Sequence, residues 1–349
     1  MTNAVYSLDL VQLATYLETA IVNFKGPVSA TKFDAGQSNP TFKIEAASGT
    51  YVLRRQPPGK LLKSAHAVDR EYRVMKALVG TEVPVPITYH LCEDREVIGS
   101  MFYLMAFCDG RIYWDAALPE LGGVEANEQR SAMYSEMNSV LAGLHGIDTD
   151  AYGLSDYGKP GNYFARQLSR WTQQYRASEL QTIKAMDTLI NWLEMALPDD
   201  DGRVSLVHGD YRLDNMIWHP TEARVIAVLD WELSTLGHPF ADLAYQCMQF
   251  RMPNSADGGV GKIAGLKGVK REVVGIPSEE AYINEYCQRM GLEKIDHWPF
   301  YLAFSFFRLA AILQGVAKRA QDGNASSKQA AKAGSYVESL AKMALEVID

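Results

Sequence analysis

Apolar and polar positions divide this 349-residue chain into two stretches of different texture. Leu10, Leu13, Ala14, Leu17, Ile21 and Val22 recur at helical intervals between Ser7 and Phe24, with Ser7 or Asp9 placed to cap the start. An amphipathic opening helix is expected there. Short runs bounded by turn formers follow: Val28 to Asp34, Thr41 to Ala46, Thr50 to Arg54, Ile87 to Cys92 and Val97 to Phe107. They read as five strands. Between the third and fourth, Val68, Tyr72, Met75, Leu78 and Val79 share one face of a helix over Ala65 to Val79, which Val83-Pro84-Val85-Pro86 ends. Residues 1–107 therefore read as a sheet with two helices. Met105-Ala106-Phe107-Cys108-Asp109-Gly110 suits a sheet edge passing into a hinge.

After this hinge the period becomes mostly helical. Helices are expected over Glu125 to Ile147, Tyr163 to Ser178, Gln181 to Leu197, Ser278 to Met290, Trp298 to Ala320 and Ser327 to Ile348, and at the turn-to-helix stretch from Leu236 to Tyr245. Pro239 suits the first turn of that last helix and Asp242 its positive end. Three short apolar runs interrupt the pattern: Ser205 to Val207, Met216 to Trp218 and Val225 to Leu229 read as buried strands. Asn254 to Gly275 is glycine-rich and basic, either a surface loop or a lid that recognises substrate. The fold class expected is α+β, with an N-terminal antiparallel sheet lobe over 1–107 and a larger, mainly helical lobe over 108–349.

Composition narrows the function classes. Hydrophobic residues at 47% and charged ones at 22% suit a globular chain with a core, not a disordered one. A formal net charge of -8, with no segment of clustered cations, argues against a nucleic-acid surface. Cys92, Cys108, Cys247 and Cys287 are widely spaced in apolar surroundings, which favours reduced core thiols. The opening MTNAVYSLDL carries no basic and apolar leader, and no run of eighteen apolar residues occurs, so a cytoplasmic protein without membrane insertion is expected.

Chemistry concentrates between Ser205 and Glu232. Asp210 follows His208 and Gly209, Asn215 lies five positions on, and Asp230 ends the run Val225 to Leu229, so the polar groups fall at strand ends. An aspartate beside a hydroxyl can take its proton, and an amide with a second aspartate can hold Mg²⁺ against phosphates. Other candidates have competing explanations. The turn Ala35 to Pro40 is a hairpin turn or a place where backbone N–H groups approach phosphate. Arg54, alternating with apolar Leu53, points toward a cleft, and Glu71 is either its anionic partner or a surface-paired residue. Three adjacent aspartates at 199–201 read as a solvated turn, and His145 as a helix-end histidine. Arg308, on an apolar helix, reads as an internal ion pair or an anionic-substrate site.

His208-Gly209-Asp210-Tyr211-Arg212-Leu213-Asp214-Asn215, followed by Leu229-Asp230-Trp231-Glu232 and by Gly237-His238-Pro239 with Asp242, resembles the aminoglycoside phosphotransferase-like family of the protein-kinase-like superfamily. Gly36-Gln37-Ser38-Asn39, Val52-Leu53-Arg54-Arg55 with Pro57-Pro58-Gly59, Arg70-Glu71-Tyr72-Arg73 and Phe307-Arg308-Leu309-Ala310 are similar to the branch that precedes the dehydrogenase in some acyl-CoA dehydrogenase fusion proteins. The resemblance implies a bilobal fold with ATP and Mg²⁺ as cofactors. It implies Asp210 as base or orienting group, Asn215 and Asp230 as metal ligands, and Arg54 with Glu71 as the phosphate-anchoring pair. Gly36, Ser38 and Asn39 would approach phosphate, Met105 and Phe107 would line the nucleotide at the hinge, and His208 and Asp242 would brace the catalytic loop. Arg212, Glu232 and Arg308 would face the substrate. Arginine stands at position 54 where the family usually carries lysine, and Trp231-Glu232 follows Asp230 where protein kinases carry Phe-Gly.

The function expected is a kinase of a small hydroxylated metabolite, by analogy a hydroxy acid or hydroxyacyl compound. A catalytically weak nucleotide-binding module stays open as the alternative. Aminoglycosides and choline-type acceptors fit less well, since polycations favour acidic loops and the loop after Gly258 is basic.

Overall fold

The computed structural model describes residues 8–33, 39–57, 66–256, 264–322 and 330–348. The chain separates into two compact units, Met1–Gly110 with Ile226–Ser234, and Arg111–Val225 with Thr235–Asp349. The division expected after residue 107 thus falls at 110, and the segment carrying Asp230 groups with the first unit.

In the first unit, α1 (Leu10–Ala20) begins where Asp9 accepts the Gln12 N–H at 2.9 Å. It is followed by β1 (Val28–Lys32), β2 (Thr41–Ala46), β3 (Gly49–Arg55), α2 (Val68–Leu78), β4 (Thr88–Cys92) and β5 (Phe102–Ala106). The strands form one antiparallel sheet in the order β1-β2-β3-β5-β4. Leu13 and Leu17, one turn apart, pack with Phe42, Ile44, Leu53, Phe102 and Leu104 from one face of that sheet. Alternation aims Arg54 and its cross-strand partner Tyr103 at the opposite face, where Glu71 of α2 lies. The strand expected from Val97 is shorter, because the chain turns at Gly99, whose φ of 82° suits glycine. From the distant segment, the Val228 N–H donates to Pro84 O at 2.8 Å, and the 3₁₀ turn Trp231–Leu233 packs against α2.

The second unit contains α3 (Ala126–His145), α4 (Tyr163–Ser178), α5 (Lys184–Met195), β6 (Ser205–Val207), β7 (Met216–Trp218), β8 (Val225–Val228, shared with the first unit), β9 (Thr235–Gly237), α6 (Phe240–Cys247), α7 (Arg271–Val274), α8 (Glu279–Met290), α9 (Trp298–Gln321), α10 (Ala330–Ala333) and α11 (Val337–Ile348). β6 pairs antiparallel with β9, Leu206 opposite Leu236. β9 went unread in the sequence because Thr235-Leu236-Gly237 carries one large apolar residue and runs straight into the His238-Pro239 turn. Its Gly237 permits the pairing: a Cβ there would lie 2.7 Å from the Tyr163 ring and 2.8 Å from Val207. Helix α9 is apolar and long enough to cross a membrane by length and composition alone, but most of that stretch is buried against α4, α5, α6 and α11, as befits a core helix. The single helix expected over Ser327 to Ile348 is broken by a 3₁₀ turn at Gly334–Tyr336, where Gly334 passes close to Ala317 of α9.

Candidate active site

The loop after β6 is held from below by a carboxylate. Asp242, fully buried in the first turn of α6, accepts the backbone N–H of His208 at 2.6 Å and of Gly209 at 2.8 Å. Its Oδ2 also lies 3.4 Å from Nε2 of His145, whose Nδ1 is 2.7 Å from the Tyr286 hydroxyl. Burial by itself raises the Asp242 pKa, but these donors outweigh it and hold the carboxyl below its ordinary range. Gly209 turns the chain with φ 83°, a conformation costly to a residue with a Cβ. The next N–H, of Asp210, donates to His208 Nδ1 at 3.2 Å, which assigns the proton of a neutral His208 ring to Nε2.

Asp210 therefore leaves a loop whose backbone is committed on both sides. Asn215 Nδ2 donates to the Asp210 carbonyl at 2.8 Å and to its Oδ2 at 3.0 Å, closing a turn through the 3₁₀ segment Leu213–Asn215. Arg212 Nε stands 3.4 Å from Asp210 Oδ1, and Arg212 Nη2 binds Asp214 at 2.7 Å. Burial pushes the Asp210 carboxyl up, while Arg212, His208, the Tyr245 hydroxyl and Arg308 pull it further down, so it stays an anion at neutral pH. With Asn215 Nδ2 spent on Asp210, the amide oxygen is the end left for a cation.

In the first unit the sequence-derived residues gather on Arg54. Its Nη2 lies 2.6 Å from Asp230 Oδ1 and 3.5 Å from Glu232 Oε2, and its Nε lies 2.8 Å from Glu71 Oε2. The Nε–H does not aim at Glu71, so that contact is an ion pair without an aligned hydrogen bond. Glu71 is nearly inaccessible and takes further donors from Tyr103 Oη at 3.1 Å and Asn39 Nδ2 at 2.8 Å. Burial pushes the Glu71 carboxyl up, to about 7, with Asp230 and Glu232 adding to the rise and Arg54 opposing it. The same acids hold the Arg54 guanidinium charged despite its own burial. Asp230 adopts a left-handed backbone, φ 64° and ψ 55°, as the turn begins.

Several expected roles take a different form here. Asn39, expected to approach phosphate, spends its side chain inside the protein: Nδ2 on Glu71, and Oδ1 2.9 Å from His66 Nδ1. Its buried amide thereby steadies Glu71, the partner of Arg54. Arg308, expected to face an anionic substrate or a buried acid, donates Nη2 to the Gly209 carbonyl at 2.6 Å, and no ion pair forms with it among the described residues. Met105 is buried in β5 opposite Val52, and Phe107 is partly exposed with the Lys43 ammonium 5.4 Å from its ring centroid. Gly36 and Ser38 lie outside the described residues, as does the stretch 257–263 of the basic loop. Sequence reasoning missed Tyr245 and Tyr286 and read His145 as a helix-end histidine, because His145 meets Asp242, and Tyr286 meets His145, only through helices remote from one another in sequence. Only the coincidence of Asp242 and Tyr245 three residues apart on one apolar helix carried a signal.

A five-stranded antiparallel sheet with an Arg–Glu pair, and a helical unit carrying His-Gly-Asp and Asn on a braced loop, define a phosphotransferase of the protein-kinase-like class. Residues 29–274 match the family model described as "Phosphotransferase enzyme family", and the chain belongs to that family. It is similar to a candidate aminoglycoside phosphotransferase from Ralstonia eutropha, 48% identical over 98% of each chain with a TM-score of 0.87. A thermostable aminoglycoside phosphotransferase APH(4)-Ia, seen with AMP-PNP and hygromycin B, shares the fold at 13% identity and a TM-score of 0.61, covering 96% of this chain and 98% of that one. Acyl-CoA dehydrogenase family member 10 of Mus musculus is 50% identical over 319 residues, which are 91% of this chain and 29% of that protein. The chain spans less than half the length of the curated relatives it matches.

Proposed function

We propose that this phosphotransferase moves the γ-phosphoryl group of ATP, with Mg²⁺, to a hydroxyl on a small metabolite. The observation that carries this reading is Asp210: an ionised, oriented carboxylate tied to Asn215 on a loop whose backbone is already fixed. The acceptor hydroxyl gives its proton to an Asp210 oxygen as its own oxygen bonds to phosphorus. The bond from that phosphorus to the bridging oxygen breaks, and ADP leaves. Phosphoryl transfer asks mainly for positioning and charge neutralisation, which suits a site of fixed carboxylates and a guanidinium. Asn215 and, in the first unit, Asp230 each carry an oxygen of the kind Mg²⁺ prefers and would hold it, and Arg54 would offer a forked cation to phosphate oxygens. Bound Mg²⁺ would neutralise the charge developing on the phosphates.

For the acceptor, we infer a hydroxy acid or hydroxyacyl compound. A cavity of about 40 Å³ in the second unit, beside Arg212, Asp214, Tyr245, Gln246 and Gln249, is otherwise walled by Trp114, Ala116, Leu213, Met248, Met252 and Leu309, a mostly apolar lining with room for a small apolar group. The likeness to acyl-CoA dehydrogenase family proteins supports the same reading. A screen of hydroxy acids, their thioesters and aminoglycosides, following ADP release with Mg²⁺ and ATP, tests it. Asp210→Asn is expected to lower turnover by ~10² to 10⁴. Undiminished transfer in that variant, or transfer to aminoglycosides alone, overturns the corresponding half of the proposal.

A further inference from the structure

We propose that Tyr245 and Arg308 act as a positioning pair that holds Asp210 from its side chain and its backbone together; this rests on Asp210 being the proton acceptor of the proposed transfer. Arg308 sits mid-way along α9 with 8% of its surface exposed. A guanidinium at such a place is ordinarily matched by a carboxylate. This one is matched by a carbonyl and two rings: Nη2 lies 2.6 Å from Gly209 O, and the guanidinium carbon lies 5.3 Å from the Tyr245 ring centroid and 5.7 Å from that of Trp171.

The peptide so gripped is the one linking Gly209 to Asp210. Arg308 takes its oxygen, and His208 Nδ1 accepts its N–H at 3.2 Å, so the plane from which Asp210 projects is pinned at both ends. Tyr245, nearly fully buried in α6, stands with its ring 5.3 Å from the Arg308 guanidinium carbon and with its hydroxyl on the side of the Asp210 carboxylate, whose charged form it favours. It stands three residues after Asp242, on the same side of α6. One helix thus supplies both the acceptor for the two preceding N–H groups and the ring on which Arg308 rests, and the Arg308–Tyr245 stack ties that helix to α9. Among the described residues, the groups facing Asp210 are Arg212, His208 and Asn215 from the loop and Tyr245 and Arg308 from outside it.

Small displacements of a catalytic carboxylate are costly in rate, so the pair is expected to act on turnover more than on nucleotide affinity. The test uses the full chain with Mg²⁺ and γ-labelled ATP, with water as the acceptor. Tyr245→Phe keeps the ring stacked on Arg308 and removes the hydroxyl; kcat should fall about 10-fold, as for one lost hydrogen bond to a charged group, with KM for ATP within about twofold. Arg308→Met should lower kcat at least as far and speed exchange of the Asp210 amide hydrogen, and Arg308→Lys should restore most of both. Wild-type kcat in Tyr245→Phe overturns the pair. So does equal damage from Arg308→Lys and Arg308→Met, or a loss carried by KM, each of which marks mere packing. If the wild-type chain transfers phosphate to nothing, the proposed function falls, and the exchange comparison at Asp210 still decides whether Arg308 holds the loop.

Discussion

Replacing Asp242 by asparagine tests how much of the catalytic loop depends on one buried anion. The carboxylate takes two backbone N–H groups, at 2.6 and 2.8 Å, and faces His145 at 3.4 Å, with none of its surface exposed. Asparagine keeps the shape but offers one oxygen, so one of the two N–H groups must face an NH₂ donor. A hydrogen bond to a charged group contributes about 1.5–3 kcal/mol, and a buried donor left unmatched costs about 1–3 kcal/mol. Because the bonds share one acceptor group they do not add fully, and a net loss of about 2–4 kcal/mol is expected near pH 7. Burial raises the Asp242 pKa and its donors lower it further, so its folded value lies below the 3.8 of the unfolded chain. A depressed carboxyl stabilises the fold above its unfolded pKa, and that contribution is lost as pH falls through the folded value. The gap between wild type and Asp242→Asn should therefore hold from pH 7 to about 5 and shrink below 3.8. Urea unfolding across pH, with hydrogen exchange over residues 205–213, measures both. A variant within about 0.5 kcal/mol of wild type at pH 7, or a gap constant down to pH 3, refutes the reasoning.

Arg54→Ala leaves the buried Glu71 carboxylate without its cation and should cost about 3–5 kcal/mol in unfolding experiments above pH 7. Because burial raises Glu71 from 4.5 to about 7, a carboxyl freed from Arg54 takes up a proton as pH falls, and the penalty should shrink toward pH 5; a penalty that grows instead counts against the account. Gly237→Ala forces a Cβ to within 2.7 Å of the Tyr163 ring and 2.8 Å of Val207, and should lower stability by about 1–3 kcal/mol by thermal unfolding, whereas no change means that β9 shifts freely.

The reach of the sequence can be followed through particular residues. The Asp210–Asn215 turn was open to reading because its partners lie five positions apart between apolar runs that only strands explain. The opening helix was legible from the spacing of Leu13 and Leu17, and the five strands from runs such as Thr41–Ala46, whose buried and less buried positions alternate. Asn39 shows the converse. A polar residue beside a turn suggests a phosphate loop, and nothing local reveals that its amide is turned inward to Glu71, 32 positions away. Arg308 was recognised as unusual on an apolar helix, but the choice between an acid, a substrate and a carbonyl is made by what packs opposite it.

By itself, then, the sequence determined most of the elements, their order and the chemical character of the loop from Ser205 to Glu232, since periodicity, turn chemistry and near-neighbour spacing are local properties of the chain. The tertiary structure alone decided which cation meets which anion. Arg54 reaches Asp230 across 176 positions, Arg308 reaches Gly209 across 99 and Asp242 reaches His208 across 34. Buried polar groups must find partners wherever folding brings them, and one sequence supplies many candidates of the right charge.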